Sequence, residues 1–165
     1  MTICYIYIHV YYIGLSEEMY EDGYEDITNI DYSTKVIGQM EERTKVKCPK
    51  MTFRTMDVLD MKDFNTNEFN TIIDKGTLDC ILCGDNSVPL AAKMMSEVYR
   101  VLQQGGHYMC ISYGDPEYRK KYIETQNWAS YRVDKLAKPS AAVVANINTD
   151  ENDVKNFHYV YTMRK

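Results

Sequence analysis

The sequence predicts an α/β fold, a mostly parallel sheet with helices on both faces. Two observations predict this. Strand-like and helix-like segments alternate along most of the 165 residues, which is the pattern of parallel strands joined by helices. The strand-like segment FNTIID (69–74) is an apolar run, as expected of a strand covered on both faces. The chain length, without internal repeats or low-complexity linkers, predicts a single domain over residues 1–165.

The first strand is predicted within the apolar N-terminal stretch MTICYIYIHVYYIGL (1–15). Its Tyr, Ile and Val residues favour a buried strand. The stretch has no Lys or Arg ahead of the apolar run and no small-residue cleavage site after it, so we do not expect a signal peptide. It is also too short to span a bilayer. We therefore expect no membrane partner and a cytoplasmic location.

Two helices and three strands are predicted in alternation between this strand and residue 74. In chain order they are SEEMYEDG (16–23), DITNID (26–31), YSTKVIGQMEER (32–43), MTFRTMDV (51–58) and FNTIID (69–74). Ser16 and Ser33 are predicted to cap the two helices, and Gly23 is predicted to end the first. Val36, Ile37 and Met40 share one face of the second helix, which we expect to be buried.

Helices and strands also alternate in the second half of the chain. In order they are SVPLAAKMMSEVYRVLQQGG (87–106), HYMCIS (107–112), DPEYRKKYIETQN (115–127), WASYRV (128–133) and FHYVYTMRK (157–165). The first has apolar residues at helical spacing, and Gly105 and Gly106 are predicted to stop it. AKPSAAVVANINTDENDVKN (137–156) is predicted to be a loop because of its Pro and Asn residues.

Charge and cysteine usage exclude several classes of function. A net charge of -5 gives no support for a nucleic-acid partner. The five cysteines are odd in number and scattered, which favours a reducing compartment over a disulfide framework. Cys80 and Cys83 form a C-x-x-C motif without a second such pair. We therefore interpret them as structural cysteines and expect no metal site.

Acidic residues end three of the predicted strands: Asp31, Asp57 and Asp74. In parallel sheets ligands bind beyond the carboxyl ends of the strands. A carboxylate after the second strand is well placed to accept both hydroxyls of a ribose. Asp57 is suited to accept from an adenine amino group, and Tyr32 and Met56 are suited to enclose a flat base.

Each of these residues also has a simpler interpretation. A strand-end Asp often caps the next helix or shapes a turn. The occurrence of acids at three consecutive strand ends is what favours a binding site. Lys75 is either an exposed loop lysine or, in a site, the partner of a ligand carboxylate.

Longer segments resemble a known family. They are LSEEMYEDGYEDITNIDYS (15–33), MDVLDM (56–61), IIDKGTLDCIL (72–82), SEVYRVLQQGGHYMCIS (96–112) and FHYVYTMRK (157–165). Together they resemble the seven-strand S-adenosylmethionine-dependent methyltransferases. More narrowly, they are similar to the group that acts on lysines of translation elongation factor 1-alpha. The resemblance covers nearly everything from Leu15 onward.

The resemblance implies a Rossmann-like, class I methyltransferase fold whose last strand is antiparallel. It implies S-adenosyl-L-methionine as the cofactor and a protein substrate, with elongation factor 1-alpha as the expected partner. Asp31 and Tyr32 match the family's cofactor positions after the second strand, and Met56 and Asp57 match its adenine-side pair. Lys75 matches a lysine that lines the cofactor site. The catalytic residues stay unassigned.

The chain departs from the family pattern before Leu15. Family members carry a sequence like GCGNS at this place, whereas this chain has HVYYI (9–13). Glycines there let the backbone approach the methionine part of the cofactor, and Tyr side chains would occupy that space. The family also has an upstream segment that folds over the cofactor. We therefore expect an N-terminally truncated or mis-assembled enzyme, or a divergent noncatalytic relative.

We consider three functions for this sequence. The first is methyl transfer to a lysine, in which catalysis is mainly alignment of the neutral amine with the methyl group. A carboxylate near the site is suited to hold the incoming ammonium group before it loses its proton. Asp74 and Asp79 are the nearest ones to the site in sequence, and nothing in the sequence identifies either as a base. The second is a methyltransferase-like binding module that has lost its cofactor. The third, a nicotinamide-dependent oxidoreductase, is disfavoured by the missing G-x-G-x-x-G motif.

Overall fold

The computed structural model describes residues 14–137 and 157–165, and the backbone of residues 3–7. The strands are β1 Ile3–Tyr7, β2 Ile27–Asp31, β3 Thr52–Thr55, β4 Phe69–Lys75, β5 Leu102–Ser112, β6 Ser130–Ala137 and β7 Phe157–Arg164. The helices are α1 Gly14–Glu21, α2 Thr34–Thr44, α3 Thr77–Leu82, α4 Ser87–Val101 and α5 Pro116–Ile123. Strands and helices therefore alternate through most of the described chain, as predicted.

The strands form one seven-stranded sheet in the order β3-β2-β1-β4-β5-β7-β6. The pairs among β1 to β5 are all parallel. β7 is antiparallel to both of its neighbours, β5 and β6. This confirms the predicted mostly parallel sheet with an antiparallel last strand. The order reverses between β1 and β4, which is where ligands bind in sheets of this kind.

Helices cover both faces of the sheet. Consecutive residues of a strand point to opposite faces, and both Ile72 and Ile73 of β4 are buried. Ile72 belongs to a core that includes residues of α3, α4 and α5, such as Leu78, Met94 and Ile123. Ile73 belongs to a second, smaller core against which Leu15 and other residues of α1 pack. The continuous apolar run of β4 is thus explained by burial on two sides.

The predicted cap of α1 is wrong. α1 begins at Gly14, so Ser16 lies inside its first turn and is buried there. The helix extends further back than predicted because Leu15 packs against the smaller core. The predicted end is confirmed: Gly23 has a φ of +95° and its N–H donates to the carbonyl of Tyr20 over 3.0 Å.

The long helix also ends earlier than predicted. α4 stops at Val101, and Gly105 and Gly106 lie within β5 rather than after the helix. Gly105 has a φ of +75°, which favours glycine. A Cβ on Gly106 would lie 2.9 Å from the carbonyl oxygen of Asn70 on the paired strand. These glycines therefore permit the close parallel pairing of β4 and β5, whose register shifts between Phe69 and Thr71, instead of terminating a helix.

Three further differences concern the site region and the undescribed residues. β3 ends at Thr55, so Asp57 follows the strand by two residues instead of closing it. α3 was not predicted, because its apolar pattern is only one and a half turns long. The predicted loop (137–156), apart from its first residue, and the HVYYI segment (9–13) lie outside the described residues.

The cap of α2 is confirmed and gives a first testable prediction. The Ser33 hydroxyl accepts a hydrogen bond from the N–H of Val36 over 3.3 Å. We expect Ser33→Ala to lower the free energy of unfolding by about 1 kcal/mol, since it leaves a helix N–H unpaired. Ser33→Asp should retain most of the stability because Asp caps equally well. Urea denaturation of the three proteins checks this, and equal stability of Ser33→Ala and wild type would contradict it.

Candidate functional site

A cleft of about 480 Å³ opens beyond the carboxyl ends of β2 and β3. Its volume falls within the range of roughly 300–1,000 Å³ that is usual for small-molecule sites. Its lining residues come from the ends of β2 and β3 and from α3: Ile30, Asp31, Tyr32, Ser33, Met56, Asp57, Val58, Leu59, Thr77 and Ile81. Two acidic residues in a largely apolar lining suit a ligand with a flat apolar part and a few hydroxyl or amino groups.

Four of the five residues predicted from the sequence line this one cleft: Asp31, Tyr32, Met56 and Asp57. The fifth, Lys75, does not line it. Lys75 ends β4 and stands in register with Tyr7 of β1 and Ile111 of β5, nearer the middle of the sheet. Partial burial lowers the pKa of its ammonium group below the ordinary value. Lys75 is thus on the same edge of the sheet as the cleft but outside it.

Asp31 is the buried one of the two carboxylates that line the cleft, since Asp57 is exposed. Asp31 is 6% exposed, and its Oδ1 accepts a hydrogen bond from the N–H of Ser33 over 2.7 Å. Burial raises the pKa of its carboxyl group, and the Ser33 hydrogen bond offsets part of that effect. Within the described residues Oδ2 receives no hydrogen bond. A buried carboxylate with a vacant acceptor atom is suited to bind hydroxyl donors of a ligand.

The walls of the cleft are apolar and of unequal exposure. Met56 is buried, whereas Tyr32 is 73% exposed. The backbone N–H of Met56 donates to the carbonyl of Asp31 over 2.9 Å, which ties the residues after β3 to the end of β2. Met56 can therefore form a buried wall against a flat ring, while Tyr32 contributes an exposed aromatic surface to the lining.

Asp57 shapes the turn that follows Met56. Its Oδ1 accepts from the N–H of Leu59 over 2.9 Å, and its carbonyl accepts from the N–H of Asp60 over 2.9 Å. This is the local turn geometry that strand-end Asp residues often adopt. The turn places Val58 and Leu59 in the wall of the cleft. Asp57 therefore shapes a turn, as in its simpler interpretation, and it still lines the cleft.

Six lining residues were not assigned to the site from the sequence: Ile30, Ser33, Val58, Leu59, Thr77 and Ile81. The first four lie within two residues of Asp31 or Asp57, so their position along the chain was the available signal. Thr77 and Ile81 come from α3, whose start was marked only by Asp74, an acid placed just ahead of a short apolar segment.

Asp74 is fully buried and its acceptor atoms are occupied. Its Oδ1 accepts from the N–H of Thr77 over 2.8 Å, and its Oδ2 accepts from the N–H of Leu78 over 3.2 Å. Oδ2 also accepts from the Tyr108 hydroxyl over 3.1 Å and from the Cys110 thiol over 3.5 Å. Burial nevertheless raises the pKa of the Asp74 carboxyl group. Asp74 therefore joins α3 to β5 and is not open to a ligand.

Asp79 is also occupied. Its Oδ1 accepts from the Ser112 hydroxyl and from Nη2 of Arg119 over 2.8 Å. Its Oδ2 accepts from the N–H of Tyr113 over 2.8 Å. The Asp79 and Arg119 side chains are both mostly buried. Asp79 thus forms an ion pair that fixes the end of β5, and it is unsuited to act as a base.

The described residues contain no group of three or more His, Cys, Asp and Glu side chains that could hold a metal ion. In the same part of the chain, no helix combines the length and the apolar character needed to cross a membrane.

Curated proteins similar to this chain are methyltransferases. It is 44% identical over 111 residues to the eEF1A lysine and N-terminal methyltransferase of Bos taurus, a match that covers 66% of this chain and 16% of the relative. It is 31% identical over 117 residues to EEF1A lysine methyltransferase 4 of Mus musculus, covering 66% of this chain and 45% of the relative. The chain thus spans only a small part of the first of these relatives.

Solved structures share the fold at low sequence identity. An S-adenosylmethionine-dependent methyltransferase from Mesorhizobium loti superposes with a TM-score of 0.70 at 12% identity, covering 99% of this chain and 90% of that chain. Haemonchus contortus phosphoethanolamine N-methyltransferase 2, in complex with S-adenosyl-L-methionine, gives 0.67 at 14% identity, covering 100% and 48%.

A family model described as a methyltransferase domain matches residues 10–161, which is most of the chain. The superposition on the solved structures shows that the chain shares their fold. The chain therefore belongs to the methyltransferase domain family and has the fold of the S-adenosylmethionine-dependent methyltransferases.

Proposed function

We propose that this chain binds S-adenosyl-L-methionine in the cleft beside Asp31 and transfers its methyl group to a lysine of a protein. The observation that carries the proposal is the Asp31 carboxylate, buried at the end of β2, whose Oδ2 receives no hydrogen bond from the described part of the chain. Two adjacent ribose hydroxyls are the donors that such a carboxylate accepts in folds of this class. Asp31 is thus assigned to the ribose.

The remaining lining residues fit the base of an adenosine. Met56 and Tyr32 provide a buried and an exposed surface for a flat ring, and Val58 and Leu59 are apolar neighbours. The Asp57 carboxylate lies among them as an acceptor for an amino group. Lys75 lies further along the sheet edge, where it is assigned to the carboxylate of the cofactor.

When bound, the cofactor supplies an electrophilic methyl group on a positively charged sulfur. The chain's own contribution is placement, because Asp74 and Asp79 are held by their hydrogen-bond donors and are not placed to take a proton from a substrate. We therefore propose that catalysis relies on alignment and on delivery of an uncharged lysine amine. No residue is assigned as a general base.

The substrate is proposed from the relatives. Two of them are named for methylation of eEF1A, at 44% and 31% identity. We accordingly propose elongation factor 1-alpha as the protein partner and the cytoplasm as the location. Nucleic acid is not proposed as a substrate, in keeping with the net charge of -5.

Incubation with labelled S-adenosyl-L-methionine and recombinant elongation factor 1-alpha tests the activity. We expect label on lysine with the wild-type chain and much less with Asp31→Asn at a subsaturating cofactor concentration, since that variant lacks the charged acceptor for the ribose. A longer relative serves as the positive control. Label with the control and none with this chain would contradict the proposed activity.

A second candidate is favoured by the sequence ahead of α1. HVYYI (9–13) stands where family members carry a glycine-rich turn. This favours a noncatalytic binding module that no longer accepts the cofactor. Calorimetry separates the two functions: the enzyme binds S-adenosylhomocysteine and the binding module shows no heat. A rise in melting temperature with NAD, and none with S-adenosylhomocysteine, would instead indicate an oxidoreductase.

A further inference from the structure

The residues that follow β3 line the cleft without regular secondary structure. Residues 56–64, here called the 56–64 segment, contain four lining residues at their start and no helix or strand. The shape of the segment must therefore come from contacts with the rest of the chain. Its own turn at Asp57 fixes only a few consecutive residues. The far end needs a separate anchor.

That anchor is a pair of charged residues in the last turns of α4. Arg100 donates from Nη2 to the carbonyl of Met61 and from Nη1 to the carbonyl of Phe64, each over 2.8 Å. Glu97 completes the arrangement, because its Oε2 accepts from the N–H of Met61 over 2.7 Å. Three backbone groups of the segment are thus bound by two side chains.

The two side chains also fix one another. Nε of Arg100 donates to Oε1 of Glu97 over 2.7 Å, and Nη2 donates to Oε2 over 2.8 Å. Both side chains are more than two-thirds buried. The planar guanidinium is suited to this role because it binds a carboxylate and two carbonyls at once. A lysine at this position offers a single ammonium and cannot reproduce the fork.

The apolar contacts of the segment are separate from this network. Met61 and Phe64 are fully or almost fully buried in the larger core. They hold the segment on the domain even without Arg100. Loss of Arg100 should therefore leave the segment attached but free to shift its backbone, including the turn at Asp57.

We propose that Arg100, together with Glu97, is a positioning residue for the adenine side of the cofactor site. The pair sets the affinity for the cofactor by fixing the 56–64 segment, and it touches no ligand itself. This inference deepens the proposed function and rests on it.

The test compares Arg100→Met with Lys165→Met. Lys165 donates to the carbonyls of Tyr99 and Leu102 over 2.6 and 2.7 Å, so it holds the same end of α4. Its contacts do not include the 56–64 segment, which makes it a matched control for helix stability.

Calorimetry with S-adenosylhomocysteine, together with melting temperatures, gives the result. We expect Arg100→Met to weaken binding about tenfold or more, since a charged anchor of the site is lost. Arg100→Lys should fall between this variant and wild type. Lys165→Met should lower the melting temperature while leaving the affinity within about twofold of wild type.

Hydrogen exchange of the ligand-free proteins is the second measurement. The amides of residues 57–61 should exchange faster in Arg100→Met than in Lys165→Met. Unchanged affinity and unchanged exchange in Arg100→Met would overturn the inference while leaving the proposed function intact. Failure of the wild-type chain to bind S-adenosylhomocysteine would overturn the proposed function, and the positioning role with it.

Discussion

Asp31→Asn is expected to weaken the binding of S-adenosylhomocysteine by about 10- to 100-fold. The variant loses a hydrogen bond to a charged group, which contributes about 1.5–3 kcal/mol to binding. Each step of about 1.4 kcal/mol in binding free energy corresponds to a tenfold change in affinity. The asparagine oxygen still accepts from the N–H of Ser33, so the start of α2 is retained. Isothermal calorimetry of the variant and the wild type measures the effect.

Stability should not fall in parallel with affinity in this variant. Burial raises the pKa of the Asp31 carboxyl group, which means that folding destabilises its ionised form relative to the unfolded chain. Replacing it with a neutral amide of equal size should leave the melting temperature unchanged or raise it. Affinity and stability would then change independently, which separates a binding role from a structural one.

The control makes the same chemical change at the far edge of the sheet. Asp134 lies on β6, half-buried and paired with Arg132. Asp134→Asn should leave the affinity for S-adenosylhomocysteine at the wild-type value. If Asp31→Asn binds as tightly as Asp134→Asn, the ribose is not bound by Asp31 and the assignment of the cleft is wrong.

The sequence predicted the site residues that lie at or just after the ends of strands. Parallel strands bring their carboxyl ends to one edge, and β2 and β3 are neighbours in the sheet, so the acids that follow them lie near one another. Asp31 and Asp57 do line one cleft. Lys75 follows the same rule but ends β4, and the sequence did not show that β1 separates β4 from β2. Strand order, which the spacing of motifs does not reveal, decided which residues share the cleft.

The errors have a different cause. The sequence pattern describes local preference, whereas Gly106 is required by the close approach of Asn70, distant in the chain, and Gly105 is favoured by its positive φ within β5. A glycine pair after an apolar helical pattern is also a normal helix end, so local reasoning selected the wrong alternative. Ser16 was misassigned for the same reason, because packing of Leu15 extended α1 backward. Tertiary contacts overrode local signals in both places.

Asp74→Ala is expected to give the largest loss of stability, about 3–5 kcal/mol. Removing the carboxylate would orphan the N–H groups of Thr77 and Leu78 and the Tyr108 hydroxyl, all in the interior. Each orphaned buried group costs about 1–3 kcal/mol. Urea denaturation measures the loss, and a variant within about 1 kcal/mol of wild type would show that water replaces the carboxylate.

Asp74→Asn is the matched variant and isolates the effect of ionisation. Its amide oxygen can accept from the N–H of Thr77, so the loss at neutral pH should be smaller, about 1–2 kcal/mol. Burial raises the pKa of Asp74 in the folded state above its ordinary value of 3.8. The folded chain thus binds the Asp74 proton more tightly than the unfolded chain does.

The sign of the pH dependence follows from that difference. As the pH falls through the raised pKa of folded Asp74, the wild type gains stability from this group, and the gain is complete below 3.8. The amide in the Asp74→Asn variant does not titrate. The difference in unfolding free energy, wild type minus Asp74→Asn, should therefore increase between neutral pH and about pH 4. A difference that stays constant or shrinks would mean that folded Asp74 keeps an ordinary pKa despite its burial, since the other acids cancel in the comparison.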